Sequence, residues 1–187
     1  VADTKKALRE LSIYWRKKQN PIVIGVTGSC GKTTTKEIIH SILEKKGKAL
    51  KNHANLNNFY GVCQTLLQLN GHKYAVVEMG INNVGEMDEL VSIVQPDLGI
   101  VTNVAPVHLE GLKSLKQVYD EKKILLKASK EAIFLNTSDR YLKKFNLADS
   151  KLCVTFGKTG RFCYRNVVVK HLGGMVFSVS DKQEGPN

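Results

Sequence analysis

The sequence lacks any long hydrophobic run. No stretch of its 187 residues approaches the roughly 20 uninterrupted apolar residues that a membrane-spanning helix needs. The residues before position 11 are charged and do not resemble a signal peptide. Nothing here marks the chain for export, so we expect a cytoplasmic protein without a membrane partner.

The sequence also lacks paired cysteines. Its four cysteines are scattered, and no two of them have the C-x-x-C spacing of a zinc site or a redox motif. They do not suggest the disulfide framework of a small secreted domain either. A reducing compartment is therefore expected, and the 42% of hydrophobic residues can supply the core of one domain of ordinary size.

Acidic residues are few, with 17 against 28 basic residues and a net charge of +11. A positive balance favours anionic ligands such as nucleotides, anionic substrates or nucleic acid. The basic residues are dispersed, however, and they do not alternate with aromatic residues as a base-stacking surface requires. A solvated, lysine-rich surface is the better interpretation, and we expect no nucleic-acid partner.

The first 47 residues predict a helix, a strand and a second helix. An amphipathic helix is predicted over 3–18 and ends at Asn20 and Pro21. The β-branched run over 21–26 predicts a buried strand. A helix over 33–46 should follow and stop at Gly47. The apolar face of the first helix is expected to hold Ala7, Leu8, Leu11 and Tyr14 or Trp15. The apolar face of the second helix is expected to hold Ile38, Ile39, Ile42 and Leu43.

Helical and strand patterns then alternate along the chain. Helices are predicted near 62–69, 86–94 and 114–128, and each precedes a predicted strand, over 74–78, 98–101 and 132–135. Such alternation predicts an α/β fold with a mostly parallel sheet flanked by helices. From Leu152 onward, short strands broken by glycines predict an antiparallel edge toward the C-terminus. No internal repeat or long linker divides the chain.

The strongest chemical signal is the segment 27–35, T-G-S-C-G-K-T-T-T, between a predicted strand and a predicted helix. Glycines at 28 and 31 allow backbone N–H groups to turn around phosphate oxygens, and the start of the helix adds partial positive charge. Lys32 can reach the β- and γ-phosphates, and Thr33 can offer its hydroxyl to Mg²⁺. The usual first glycine of such a loop is replaced by Val26. A glycine-rich turn without a ligand would not explain the Gly-Lys-Thr triplet, so we predict nucleotide binding.

The segment 27–37, T-G-S-C-G-K-T-T-T-K-E, resembles the nucleotide-binding loop of the Mur ligases. Four more motifs of that family occur in the family's order: N-L-N-N at 55–58, E-M-G at 78–80, G-E at 85–86 and H-L-E-G at 108–111. The resemblance covers residues 3–157. It is greatest to the members that add D-alanyl-D-alanine to UDP-N-acetylmuramoyl-tripeptide, although those members have histidine where this chain has Asn83.

The resemblance implies a P-loop NTPase-like central domain and an ATP-dependent, ADP-forming carboxylate–amine ligase of peptidoglycan synthesis. In this family a substrate carboxylate attacks the γ-phosphate, and an amine displaces the resulting acyl phosphate. ATP and Mg²⁺ are the implied cofactors, and a UDP-muramyl peptide and D-alanyl-D-alanine are the implied substrates. Other Mur-type ligases, a folylpolyglutamate synthase-like enzyme and a non-ligase P-loop ATPase stay open as alternatives.

The resemblance also implies the site residues. Catalytic roles fall to Lys32, His108 and Lys122. Metal ligands would be Thr33, Glu78, His108 and Lys122. Nucleotide contacts would come from Gly28, Ser29, Cys30, Gly31, Lys32, Thr33, Thr34, Asn58 and Asn136. In the family the lysine at the position of Lys122 reacts with CO₂ to become a carbamate, and the adjacent Lys123 is the alternative register.

The resemblance finally implies a domain arrangement. Residues 1–20 would be a helix leading from the end of an N-terminal substrate domain, and residues 21–187 a truncated central ATP-binding domain without the C-terminal domain. The 187 residues alone are therefore expected to be inactive in ligation. We also expect the protein to be monomeric.

Overall fold

The structure, a computed structural model, describes residues 2–146, 152–169 and 175–182. Its helices are α1 (Thr4–Gln19), α2 (Lys32–Glu44), α3 (Phe59–Leu67), α4 (Glu86–Val94), α5 (Leu109–Leu112) and α6 (Leu115–Ala128), with a 3₁₀ turn at Leu142–Lys144. Its strands are β1 (Ile22–Thr27), β2 (Ala49–Lys51), β3 (Tyr74–Glu78), β4 (Leu98–Val101), β5 (Ala132–Asn136), β6 (Leu152–Gly157), β7 (Phe162–Val169) and β8 (Met175–Asp181).

The strands form one sheet in the order β2-β3-β1-β4-β5-β6-β7-β8. All neighbouring pairs from β2 to β7 are parallel, and β7 pairs with β8 in antiparallel fashion. The predicted α/β class, with a mostly parallel sheet and antiparallel strands toward the C-terminus, is confirmed. The direction of winding changes around β1, because β3 lies on one side of it and β4 on the other. Open α/β sheets bind ligands at the carboxyl ends of strands at such a point.

The sheet has a hydrophobic cluster on each face. The larger cluster joins strand residues such as Val23, Val77 and Val101 to buried side chains of α3, α4 and α6. The smaller cluster consists of Ile24, Val26, Val76 and Ile100, with α2 packed against it through Ile39 and Leu43. Alternate residues of a strand point to opposite faces, which divides β1 between the two clusters. Among the described residues, no helix combines the length and the apolar character that crossing a membrane requires.

The predicted apolar face of α1 is partly wrong. Leu11 and Tyr14 are exposed, whereas Ser12 and Arg16 are buried. Arg16 can be buried because its guanidinium donates hydrogen bonds to the backbone oxygens of Val94 and Gln95 and pairs with a carboxylate, that of Asp97, at 2.9 Å. A buried charge is tolerated only with such partners, and periodicity alone did not reveal them.

The predicted inner face of α2 is also half wrong. Ile38 and Ile42 are 55% and 52% exposed, while Lys36 is completely buried. The helix turns its Lys36 face toward the carboxyl end of β3, where acceptors are available for the ammonium group. Strand β2 and the one-turn helix α5 were not predicted, since three or four residues are too few to show a period.

Candidate nucleotide and metal site

The segment between β1 and α2 forms a turn suited to phosphate. Gly28 and Gly31 both have positive φ angles, of 154° and 78°. A Cβ atom at Gly28 would also collide with the hydroxyl of Thr102. Helix α2 begins at Lys32 without a side-chain cap, so no side chain among the described residues occupies the N–H groups of its first turn. Uncapped N–H groups and the helix dipole together favour an anion at this point.

The segment after β4 holds this loop in place. Asn103 accepts hydrogen bonds on Oδ1 from the backbone N–H groups of Ser29 and Cys30, at 3.1 and 3.0 Å. The Ser29 hydroxyl donates to the Ala105 oxygen at 2.9 Å, and Thr102 Oγ1 donates to the Cys30 oxygen. The loop shape is therefore set by protein contacts. Asn103 was not predicted to have a role, although its position after a central strand was a usable signal.

Lys32 and Thr34 lie at the start of α2. Lys32 Nζ donates a hydrogen bond to the Gly28 oxygen at 2.9 Å, so its side chain folds back over the loop. Thr34 is exposed, as is Cys30. The Cys30 sulfur accepts a hydrogen bond from Asn103 Nδ2 at 3.4 Å. The predicted loop residues thus lie together in the turn between β1 and α2 and in the first turn of α2.

Glu78 ends β3 and is 2% exposed. Its Oε2 accepts a hydrogen bond from Thr33 Oγ1 at 2.9 Å, and its Oε1 accepts one from Asn57 Nδ2 at 2.8 Å. Asn52 holds the backbone of Glu78 on both sides, accepting from its N–H at 2.8 Å and donating to its carbonyl at 2.9 Å. The predicted pair of Thr33 and Glu78 is therefore in contact, and the carboxylate has a fixed orientation.

The donor set fits a magnesium ion that is shared with a nucleotide. Mg²⁺ prefers oxygen ligands and is commonly held by one or two protein oxygens, phosphate oxygens and waters. Thr33 and Glu78 offer a hydroxyl and a carboxylate beside the glycine turn that precedes α2. Within the described ranges, no cluster of three or more His, Cys, Asp or Glu residues could hold a metal ion by itself. Phosphate oxygens would have to complete the coordination.

Lys122 lies on α6 and is 2% exposed. Burial, and secondarily the positive charge of Lys32, lower its pKa from 10.5 to about 8, while the charge of Glu121 opposes the shift. Its neighbour Lys123 differs, because the ammonium group of Lys123 pairs with Asp120 and its side chain is 29% exposed. Of the two lysines, Lys122 is the buried one, and its role at a metal stays a prediction.

His108 lines a cavity of about 400 Å³ whose lining does not include Thr33 or Glu78. The other lining residues are Asn82, Asn83, Glu110 and Gly111. It has a φ angle of 54° and immediately precedes α5. In the described part of the chain, no hydrogen bond or ion pair joins His108 or Lys122 to Glu78. Of the four predicted metal ligands, Thr33 and Glu78 are in direct contact. The roles of His108 and Lys122 at a metal stay predictions.

Two predicted nucleotide contacts have local partners in the protein. Asn58 accepts a hydrogen bond from the Gly61 N–H at 3.0 Å and caps α3, and the neighbouring Asn57 is the residue that contacts Glu78. Asn136 donates to the Thr102 oxygen at 2.8 Å and accepts from the Ser138 N–H at 3.0 Å. Both amides shape the loops around the site, and their contacts with nucleotide stay predictions.

Comparisons with known proteins identify relatives of this chain. The family model of the Mur ligase middle domain matches residues 26–185. The UDP-N-acetylmuramoyl-tripeptide–D-alanyl-D-alanine ligase of Borreliella burgdorferi is 34% identical over 170 residues, which cover 88% of this chain and 36% of the relative.

Two solved structures resemble the fold closely. MurF ligase from Thermotoga maritima in complex with ADP has a TM-score of 0.87 and 28% identity, over 96% of this chain and 42% of its own. MurF from Acinetobacter baumannii has a TM-score of 0.84 and 31% identity, over 96% of this chain and 42% of its own. This chain therefore spans between 36% and 42% of the length of these three proteins.

Proposed function

Because this chain belongs to the Mur ligase family through its middle domain, we propose that it is the ATP-binding part of a ligase that joins D-alanyl-D-alanine to UDP-N-acetylmuramoyl-tripeptide. One observation carries the proposal. The hydroxyl of Thr33, directly after the phosphate-binding turn, lies 2.9 Å from the buried carboxylate of Glu78. An arrangement of this kind serves phosphoryl transfer. The substrates come from the relatives that are named for them.

The loop residues would bind and neutralise the triphosphate. The N–H groups at the start of α2 would face phosphate oxygens, and Lys32 would leave the Gly28 oxygen to reach the β- and γ-phosphates. Thr33 and Glu78 would hold Mg²⁺, which supplies charge neutralisation when two anions approach each other. The substrate carboxylate would then attack the γ-phosphorus, forming a C–O–P bond and releasing ADP. The amine of D-alanyl-D-alanine would displace phosphate from the acyl phosphate to form the amide.

Lys122 would act as a carbamate. The ammonium group would first lose a proton, and the neutral amine would then attack CO₂, forming an N–C bond and releasing a second proton, so that the cationic side chain would become an anion with two oxygens. A pKa of about 8 makes the neutral amine far more abundant at pH 7 than it is for an ordinary lysine. The carbamate oxygens and His108 would support a second Mg²⁺, for which Thr33 and Glu78 alone are too few ligands.

The proposal assigns different steps to different domains of the whole protein. The helix α1 would lead into this ATP-binding domain from a substrate domain, and a closing domain would complete the protein. The 187 residues alone would bind nucleotide without forming the amide, because the sugar nucleotide and the lid need those domains. Amide formed by the purified 187-residue chain would contradict this division.

The test uses the protein as its gene encodes it. Continued ADP release over many turnovers should require both UDP-N-acetylmuramoyl-tripeptide and D-alanyl-D-alanine, and mass spectrometry should detect the pentapeptide product. Omitting either substrate, or replacing D-alanyl-D-alanine by a single amino acid, is the control. Turnover with a folate and glutamate, or with another muramyl peptide and amino acid, would favour a sister enzyme. ATP hydrolysis stimulated by DNA or RNA, with steep salt dependence, would refute the ligase proposal.

A further inference from the structure

Lys36 is a completely buried lysine beside the proposed metal site, and the mechanism above does not use it. It lies one turn after Thr33 on α2, with 0% of its side chain exposed. An ammonium group is very rarely buried so fully unless hydrogen bonds and opposite charges compensate it. Its partners therefore show what the side chain does.

The ammonium group of Lys36 joins three separate elements. Nζ donates hydrogen bonds to the backbone oxygens of Asn52 and Ala54, at 2.8 and 3.3 Å. It also lies 3.6 Å from Oε2 of Glu78 and 3.4 Å from Oε1 of Glu37. One nitrogen thus links α2, the segment 52–58 and the carboxyl end of β3.

Segment 52–58 carries the amides that orient Glu78. Asn52 brackets the Glu78 backbone, and Asn57 donates to Oε1 of the same residue. Lys36 anchors this segment through its backbone oxygens and contacts Oε2 directly. The Glu78 carboxylate is therefore positioned by Lys36 in two ways: Lys36 anchors the segment whose Asn57 holds Oε1, and its charge lies beside Oε2.

We propose that Lys36 is a positioning residue for the magnesium site, because it fixes the Glu78 carboxylate relative to Thr33 before metal arrives. This inference rests on the proposed function, since it assumes that Thr33 and Glu78 are metal ligands. Without the ammonium group, two backbone oxygens lose their donor and a buried carboxylate loses its nearest cation. Each of these losses is costly enough to displace the segment or the carboxylate.

The chain offers a matched control in Lys51. Lys51 also pairs with Glu37, but its side chain is 32% exposed, and Glu37 is the one ion-pair partner that the described residues give it. Lys36→Met and Lys51→Met remove the same group by the same substitution. Only the first removes the link to Glu78 and to segment 52–58. An effect that only Lys36→Met shows therefore comes from its contacts with Glu78 and segment 52–58, and not from the loss of an ion pair with Glu37.

The experiment uses the protein as its gene encodes it, with ADP and Mn²⁺ as probes. The ADP dissociation constant is measured in EDTA, and Mn²⁺ binding to the protein–ADP complex is measured by electron paramagnetic resonance. Lys36→Met should weaken Mn²⁺ binding at least about tenfold, equivalent to about 1.4 kcal/mol. It should leave the metal-free ADP dissociation constant within about twofold, because the phosphate-binding turn keeps its contacts. Lys51→Met should leave both constants within about twofold.

Three results would overturn the proposal. One is Mn²⁺ binding that is equal in the two folded variants. Another is tighter Mn²⁺ binding in Lys36→Met, which would show that Lys36 acts only as a competing charge. The third is that Lys36→Met and Lys36→Gln both fail to fold while Lys51→Met folds, which would make Lys36 a residue of stability alone. Wild-type protein that binds no ADP would instead overturn the proposed function itself.

Discussion

Replacing Lys122 by methionine should stabilise the protein while it removes the proposed carbamate site. The substitution keeps an unbranched side chain of similar length and removes the charge. Burial and the charge of Lys32 hold the pKa of Lys122 at about 8, against an ordinary value of 10.5. At 1.36 kcal/mol per pH unit, this difference means that the protonated lysine lowers the free energy of unfolding by about 3 kcal/mol at pH 7. Lys122→Met should regain part of that amount.

The difference in unfolding free energy between the wild type and Lys122→Met should depend on pH. The pKa of Lys122 is lower in the folded protein than in the unfolded chain, so the unfolded chain binds more protons between pH 8 and 10.5. The stability of the wild type should therefore rise relative to that of Lys122→Met across this window. Below about pH 8 the lysine is protonated in both states, and the difference in unfolding free energy should be constant.

The measurement is urea unfolding at pH 7, 8.5 and 10 in buffer free of CO₂, nucleotide and metal. The single tryptophan, Trp15, is a natural fluorescent probe, because its indole N–H donates to the Leu69 oxygen at 2.8 Å and unfolding breaks this contact. Lys123→Met is the control, since loss of its partly exposed pair with Asp120 should change stability by less than about 1 kcal/mol. If Lys122→Met is less stable than the wild type by the same amount at every pH, the buried charge is not destabilising and the reasoning fails.

Three further predictions concern the loop and the lysines. Lys32→Ala should lower ATP affinity at least about a hundredfold while the fold stays intact, and unchanged affinity by calorimetry would refute the loop assignment. Alkylation of the exposed Cys30 should be slowed by ATP, and equal rates with and without nucleotide would show that the thiol points away from the site. Lys122→Ala should lose most ligase activity and regain part of it with short-chain carboxylates, whereas Lys123→Ala should be mild. The reverse order of the two variants would shift the carbamate by one residue, and tolerance of both would remove it.

Local sequence was sufficient to predict the glycine-rich turn between strand and helix and the order of the main elements. The strand, the glycine-rich turn and the helix start are contiguous, so residues 22–44 carry the whole signal. The position of Glu78 beside this turn could be predicted for a related reason. It ends an apolar strand, and the carboxyl ends of parallel strands meet at the same edge of the sheet. Its contact with Thr33 follows from that topology.

The tertiary structure alone decided which other side chains complete the site. Asn103 reaches the loop from 73 residues away in sequence, and Lys36 turns inward where periodicity placed isoleucines. Packing also separates Lys122 from Lys123, which are adjacent in sequence but differ in burial and in ion pairing. Hydrophobic periodicity reports only which residues avoid water. The burial of a polar side chain depends on partners that the fold supplies, and those partners become known only when distant segments are brought together.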